Sequence, residues 1–274
     1  MVVDTDGARV DELLAWVGGC TLGAEVRERP DGTVEVRMFL DDALDGPRLR
    51  DLLEAAGRFG RTRREVVPDG RWVERYQAGL QPVRLSSRFT VLPGGHGGPF
   101  PGTIAVHLVP GRAFGTGEHP TTRLCAKLLE SSVQPGERWL DLGCGSGILA
   151  VVAARLGAGS VIGIDIDPEA IEVARETLAA NGLADAVELC ACGIEELSAA
   201  AFDGIVANVS EALFVQRAGE LAGRVRPGGA LLASGFLDGD RDEVERALER
   251  AGWTVDRRRV ELPWAALGAR RGPP

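Results

Sequence analysis

The chain has 274 residues, a net charge of −9 and an apolar fraction of 45%, which suits one large soluble domain or a medium one with a small companion. No stretch approaches the ~18 consecutive apolar residues of a membrane span, and the acidic start, Met1 to Arg9, lacks the apolar core of a secretory leader, so no membrane role and a cytoplasmic location are expected. The acidic balance disfavours direct nucleic-acid binding, which depends on neutralising phosphates, and it favours a cationic protein partner.

In chain order, the spacing predicts a helix over Ala8–Val17. A strand over Thr33–Leu40 follows an Asp31-Gly32 turn, and a second helix over Pro47–Phe59 has Pro47 in its first turn. These elements define a small α+β domain, residues 1–66. Residues 67–100 read as a linker with connecting strands: a helical connector at Trp72–Gly79, with Tyr76 as a hinge, then Val83–Leu85 and Phe89–Leu92. Strand Thr103–Leu108 opens the third segment, 101–274. Helix Thr121–Ser131 follows, then strand Arg138–Leu142, helix Ile148–Leu156, strand Ser160–Asp165 and helix Pro168–Asn181. Strands Val187–Cys190 and Gly204–Asn208, helix Glu211–Val225, strand Ala230–Ser234 and helix Asp240–Ala251 come next. Strands Trp253–Val260 and Trp264–Arg270 close the chain. Strands alternating with helices predict an α/β fold with a doubly wound, mostly parallel sheet.

The chemistry concentrates at 139–165. Asp141 ends a strand, Gly143, Gly145 and Gly147 form a turn, a helix starts near Ser146, and a second strand ends at Asp165. The glycines allow positive φ and close approach of a ligand, and an acid some twenty residues on suits a ribose diol. A dinucleotide site has G-x-G-x-x-G. Here the pattern is Asp-x-Gly-x-Gly-x-Gly, and the leading carboxylate would repel a pyrophosphate but suits the cationic amino-acid end of S-adenosylmethionine.

Upstream, Pro110-Gly-Arg-Ala-Phe-Gly-Thr-Gly-Glu-His-Pro-Thr-Thr122 places a glycine turn, a histidine and two hydroxyls before a helix N-terminus. Free N–H groups there favour a carboxylate. Thr121 and Thr122 also have the chemistry of helix caps. Glu118 reads as loop and Asp203 as a turn residue. The five cysteines form no metal framework, because the lone Cys190-x-Cys192 lacks the second half of a zinc site. All five are expected to be reduced, and no metal is expected.

These motifs resemble those of the ribosomal protein L11 methyltransferases, S-adenosylmethionine-dependent class I enzymes. The resemblance rests on Ala113-Phe-Gly-Thr-Gly, His119-Pro-Thr-Thr122, Asp141-Leu-Gly-Cys-Gly-Ser-Gly-Ile-Leu-Ala150 and Gly163-Ile-Asp-Ile-Asp-Pro168. Val206-Ala-Asn208 and the segment from Trp72 to Pro82 complete it. It covers about Arg71 to the C-terminus and implies a seven-stranded Rossmann-like methyltransferase sheet, with the small N-terminal domain recognising the substrate protein. It implies cofactor contacts at Thr122, Gly143, Asp165 and Asn208, with Asp141 and Gly145 beside them. Asn208 is the candidate for orienting the acceptor amine. His119 is either a base or a structural hydrogen-bonder. Val109 stands where the family usually has an acid before Pro-Gly, and Ser210 stands where it has an apolar residue. A lysine on a different protein, or an inactive cofactor-binding module, are the alternatives. A monomer is compatible with the sequence.

Overall fold

The computed structural model describes residues 1–10, 13, 23–29, 32–39, 46–63, 81–95, 97–109, 117, 119–197 and 201–273. Two compact units emerge, Met1–Arg75 and Tyr76–Pro274. The expected helix Ala8–Val17 and connector Trp72–Gly79 with Tyr76 fall wholly or mostly outside the described residues, as do Ala113, Phe114, Gly115, Thr116 and Glu118.

In the first unit, strands β1 (Val2–Asp6), β2 (Gly23–Glu28), β3 (Thr33–Phe39) and β4 (Gly60–Arg63) form an antiparallel sheet in the order β2-β3-β1-β4. Helix α1 (Gly46–Ala56) lies between β3 and β4 in sequence. One core gathers Val3, Val34, Val36, Met38, Ala56 and Phe59. A polar cluster joins Asp4 and Glu35 with Arg29 and Arg63; Arg63 lies 2.8 Å from Asp4 and 2.6 Å from Glu35. The bonds from Arg63 and Arg29 hold the Glu35 carboxyl below its ordinary range.

The second unit opens with a small sheet of β5 (Val83–Arg84), β6 (Phe89–Pro93) and β7 (Ile104–Leu108). Its main sheet comprises β8 (Arg138–Leu142), β9 (Ser160–Asp165), β10 (Val187–Ala191), β11 (Phe202–Asn208), β12 (Val225–Leu237), β13 (Trp253–Glu261) and β14 (Trp264–Arg271). The order is β10-β9-β8-β11-β12-β14-β13. The first five strands are parallel and β14 is antiparallel to both its neighbours. This is the mixed α/β fold with a mostly parallel central sheet that the alternation predicts. Helices α2 (Pro120–Glu130), α3 (Ile148–Arg155) and α4 (Pro168–Ala180) contribute to one core. Helices α5 (Glu211–Arg224) and α6 (Arg241–Arg250) contribute to another. The chain runs outward from β8 to β10 and then returns to lay β11 on the other side of β8. The strand ends at this reversal form the crevice where such sheets bind ligands.

Two local expectations are corrected. Cys190 and Cys192 are joined as a disulfide, not left as free thiols. Cys190 lies in β10 and Cys192 just past its end, and their Cα atoms are 5.5 Å apart, within disulfide reach. Asp203 lies in β11, not in a turn: its Oδ2 accepts from the Arg138 N–H at 2.7 Å, and its Oδ1 pairs with Arg226.

Candidate active site

At the reversal lies a cavity of about 610 Å³ lined by Thr122, Gly143, Gly145, Asp165, Asn208 and Ser210, among others. That is the size of a small-ligand or cofactor pocket.

The glycine turn is positioned from both sides. Gly143 and Cys144 donate their N–H groups to Ile164 O, each at 2.9 Å, tying the turn to β9. Gly143 has φ +69, and a Cβ there would come within 2.6 Å of Val209 Cγ1, so backbone strain and crowding both require glycine. Asp165 closes the arrangement: its Oδ2 accepts from the Gly145 N–H at 2.9 Å and its Oδ1 from the Asp167 N–H at 3.0 Å. A carboxylate has about four lone-pair sites. Two therefore remain to accept from a diol.

The part of the lining from α2 and β11 is built from side chains. Helix α2 starts at Pro120, with His119 as its cap. His119 Nδ1 lies 2.7 Å from Thr121 Oγ1 and faces the Thr121 N–H at 3.4 Å, while its ring meets Trp264 edge-on at 4.7 Å. His119 thus caps the helix through Nδ1, and it is not among the cavity-lining residues. Thr121 is occupied with His119, which leaves Thr122, one residue on, to line the cavity. Asn208 Nδ2 reaches Thr122 Oγ1 at 3.5 Å, long for a hydrogen bond. Asn208 Oδ1 is buried with no hydrogen-bond partner among the described residues. An unpaired buried acceptor is costly in isolation, so it points to a ligand donor.

Asp141 departs from expectation. The sequence puts it at the cationic end of a cofactor, yet the structure buries it at the end of β8, and it does not line the cavity. Neither carboxylate oxygen makes a well-formed hydrogen bond among the described residues, and the Ala150 N–H interacts with the carboxyl only weakly. Burial pushes its carboxyl up to about 7; the Ala150 amide offsets part of this and the Asp165 charge adds to it. No sequence pattern reports such burial. Cys144, in the turn, and Cys125, on α2, are buried free thiols whose pKa values burial raises, with the Asp141 charge adding.

Sequence reasoning missed the rest of the lining. Ile166, Cys192, Ile194, Glu195, Leu213 and Arg217 also border it at the strand and helix ends. Hydrogen bonding to Glu220 and the charge of Glu195 hold Arg217 above its ordinary range. Position after a parallel strand was the one available signal, and Ile166 directly after Asp165 carries it.

A parallel sheet with its crevice at the reversal, a glycine turn clamped by an acid, and a polar strand end opposite define an α/β protein that handles a nucleoside-bearing ligand. A family model described as Ribosomal protein L11 methyltransferase (PrmA) matches residues 30–272. The chain belongs to the ribosomal protein L11 methyltransferase family. It is 44% identical over 208 residues to such a protein from Cupriavidus necator, covering 76% of this chain and 67% of that one. A relative from Paraburkholderia xenovorans is 44% identical over 204 residues, covering 72% and 64%. The chain thus spans about two thirds of the length of these curated relatives. A crystal structure described as ribosomal protein L11 methylase, from Lactobacillus delbrueckii subsp. bulgaricus, superposes with a TM-score of 0.65 at 29% identity. It covers 71% of this chain and 100% of that one.

Proposed function

We propose that the chain methylates amino groups of ribosomal protein L11, lysine side chains or the N-terminal α-amine, using S-adenosylmethionine. One observation carries this: Asn208, with a buried acceptor that has no partner among the described residues, lines the same cavity as Thr122, which its amide approaches at 3.5 Å, and as the Gly145–Asp165 clamp. One wall suits a nucleoside and the other suits an amine. The proposed frame is a doubly wound seven-stranded Rossmann-like methyltransferase sheet, and residues 1–66 are the proposed substrate-recognition domain. The proposed setting is the cytoplasm. Among the described residues no helix is long and apolar enough to cross a membrane.

The residues present fit the cofactor. Asp165 keeps acceptor capacity for a ribose diol, Gly143 and Gly145 leave room for close backbone approach, and Thr122 Oγ1 can donate to a carboxylate. Asp141, buried in β8 two residues before Gly143, would act on the cofactor through the turn and not by direct contact. When bound, S-adenosylmethionine supplies a methyl group on an activated sulfonium, so the protein chiefly contributes alignment.

The acceptor must be neutral. A lysine amine with pKa near 10.4 costs about 4.6 kcal/mol to deprotonate at pH 7, and an α-amine near 7.8 about 1 kcal/mol. Asn208 Oδ1 accepts an N–H from the amine and aims its lone pair. The amine's proton leaves to solvent, with His119 Nδ1 engaged in the helix cap. Labelled cofactor incubated with the chain and a ribosomal lysate tests the reading: a single labelled protein of the size of L11 is expected, and labelled RNA or no label would overturn it. A lysine on a different protein is the second reading, favoured by polar Ser210 in the cavity lining.

A further inference from the structure

We propose that Ser210 biases how many methyl groups the acceptor amine receives: its hydroxyl is the second hydrogen-bond acceptor for a primary amine, beside Asn208 Oδ1, and it favours the first methyl transfer over those that follow. The inference rests on the function above and deepens it.

Ser210 stands at the N-cap of helix α5, where a serine ordinarily uses its hydroxyl to accept from the N–H of the second or third helical residue. Here the side chain makes no capping bond. The Leu213 N–H, third in the helix, is donated to the Ser210 carbonyl at 3.1 Å instead. The hydroxyl is thereby released. Ser210 is both exposed and part of the cavity lining, so it stands at the mouth.

The helix fixes which end of the cavity this is. Ser210, Leu213 and Arg217 all line it, at the three- and four-residue intervals that mark one helical face. A rise of 1.5 Å per residue puts roughly 10 Å between the ends of that stripe. Arg217 pairs at 3.1 Å with Glu195, just past β10, and β10 pairs with the strand that ends in Asp165, so Arg217 marks the nucleoside end. Ser210 follows Asn208 by two residues and marks the amine end.

Counting hydrogen bonds gives the consequence. A neutral primary amine attacks with its lone pair and has two N–H groups to donate. Asn208 Oδ1 takes one, and the Ser210 hydroxyl, which carries two lone pairs, takes the other. In each turnover the nitrogen gains a methyl, the C–S electron pair stays on sulfur, and one proton leaves to solvent. A monomethyl amine keeps a single N–H. That one goes to the buried Oδ1, where an unmade bond costs most, while exposed Ser210 returns to water. The bond to Ser210 thus assists the first transfer alone.

The test uses the full chain, the variants Ser210→Ala and Ser210→Thr, ribosomal protein L11 as acceptor, and mass spectrometry of each modified lysine at low conversion. In Ser210→Ala the ratio of monomethyl to di- and trimethyl product should fall about fivefold, the effect of one neutral hydrogen bond, and Ser210→Thr should restore it. The melting temperature of the cofactor-free chain should be the same in Ser210→Ala as in the wild type. An active Ser210→Ala enzyme with the wild-type ratio overturns the proposal, as does a variant with no activity on L11, which makes the hydroxyl essential and not selective. A ratio that falls but is not restored by threonine assigns the effect to volume, and a lowered melting temperature assigns the hydroxyl to capping α5; either overturns it. A wild-type chain that leaves L11 unmethylated overturns the function itself, and the inference with it.

Discussion

The two walls of the cavity solve one problem by opposite means. On the β8–β9 side the backbone does the holding: glycine N–H groups are tied to Ile164 and to the Asp165 carboxylate, and their hydrogen bonds are already made. On the β11 side the side chains are under-satisfied: Asn208 Oδ1 has no partner, and its amide meets Thr122 only at 3.5 Å. The difference teaches where specificity is stored. A wall preorganised by its own backbone binds one ligand in one pose, while a wall with open valences acquires its geometry when the acceptor arrives.

Four changes probe that contrast. Asp165→Ala should have the largest effect, because it removes the acceptor for a diol and for two backbone amides together. Each hydrogen bond to a charged group is worth about 1.5–3 kcal/mol, so S-adenosylmethionine affinity should fall roughly 150-fold. Calorimetry showing unchanged affinity would remove Asp165 from the site. Gly143→Ala should cost about 2 kcal/mol through its positive φ and its clash with Val209, near thirtyfold in the same measurement. Asn208→Ala should lower kcat about tenfold while cofactor affinity changes less; a parallel fall of both would move Asn208 to the cofactor wall.

Asp141→Asn should perturb catalysis least and read out in stability. The folded carboxyl is raised to about 7 from an ordinary 3.8. Between those pH values the folded chain keeps a proton that the unfolded chain has released. Stability therefore falls as pH rises through the window, by up to about 1.4 kcal/mol per unit, and levels off above it. The asparagine variant should flatten that slope in melting curves of the cofactor-free protein, and an unchanged slope would exclude Asp141 as its source.

The two walls also differed in legibility. Gly143, Gly145 and Asp165 announce themselves because a turn that needs positive φ and an acid at a fixed interval leave a local imprint. Thr122 and Asn208 drew attention through motif resemblance, but their contact spans 86 positions and no local pattern encodes it. The burial of Asp141 was equally hidden, since a strand-end acid looks the same whether it faces a cavity or a core. Among the strands, β1, β2 and β4 went unread: adjacent Val2 and Val3 break the alternation, and β1 and β4 pair with each other across more than fifty residues. Strand β12 was read too short because Pro227-Gly228-Gly229 resembles a turn; it is a register shift between two paired stretches, Phe202↔Val225 and Gly204↔Ala230. The helices α2 to α6 were placed within about a residue at each end, because capping residues and apolar spacing are local.

The antiparallel β14 has an evolutionary consequence. It brings a hairpin to the reaction edge without a crossover helix, so the Glu261–Trp264 turn can lengthen, shorten or change composition while the β12–β14 ladder below it stays in register. Nothing in the clamp between Gly145 and Asp165 depends on that turn. The turn can therefore vary while the bonds from Gly145 and Asp167 to Asp165 are kept.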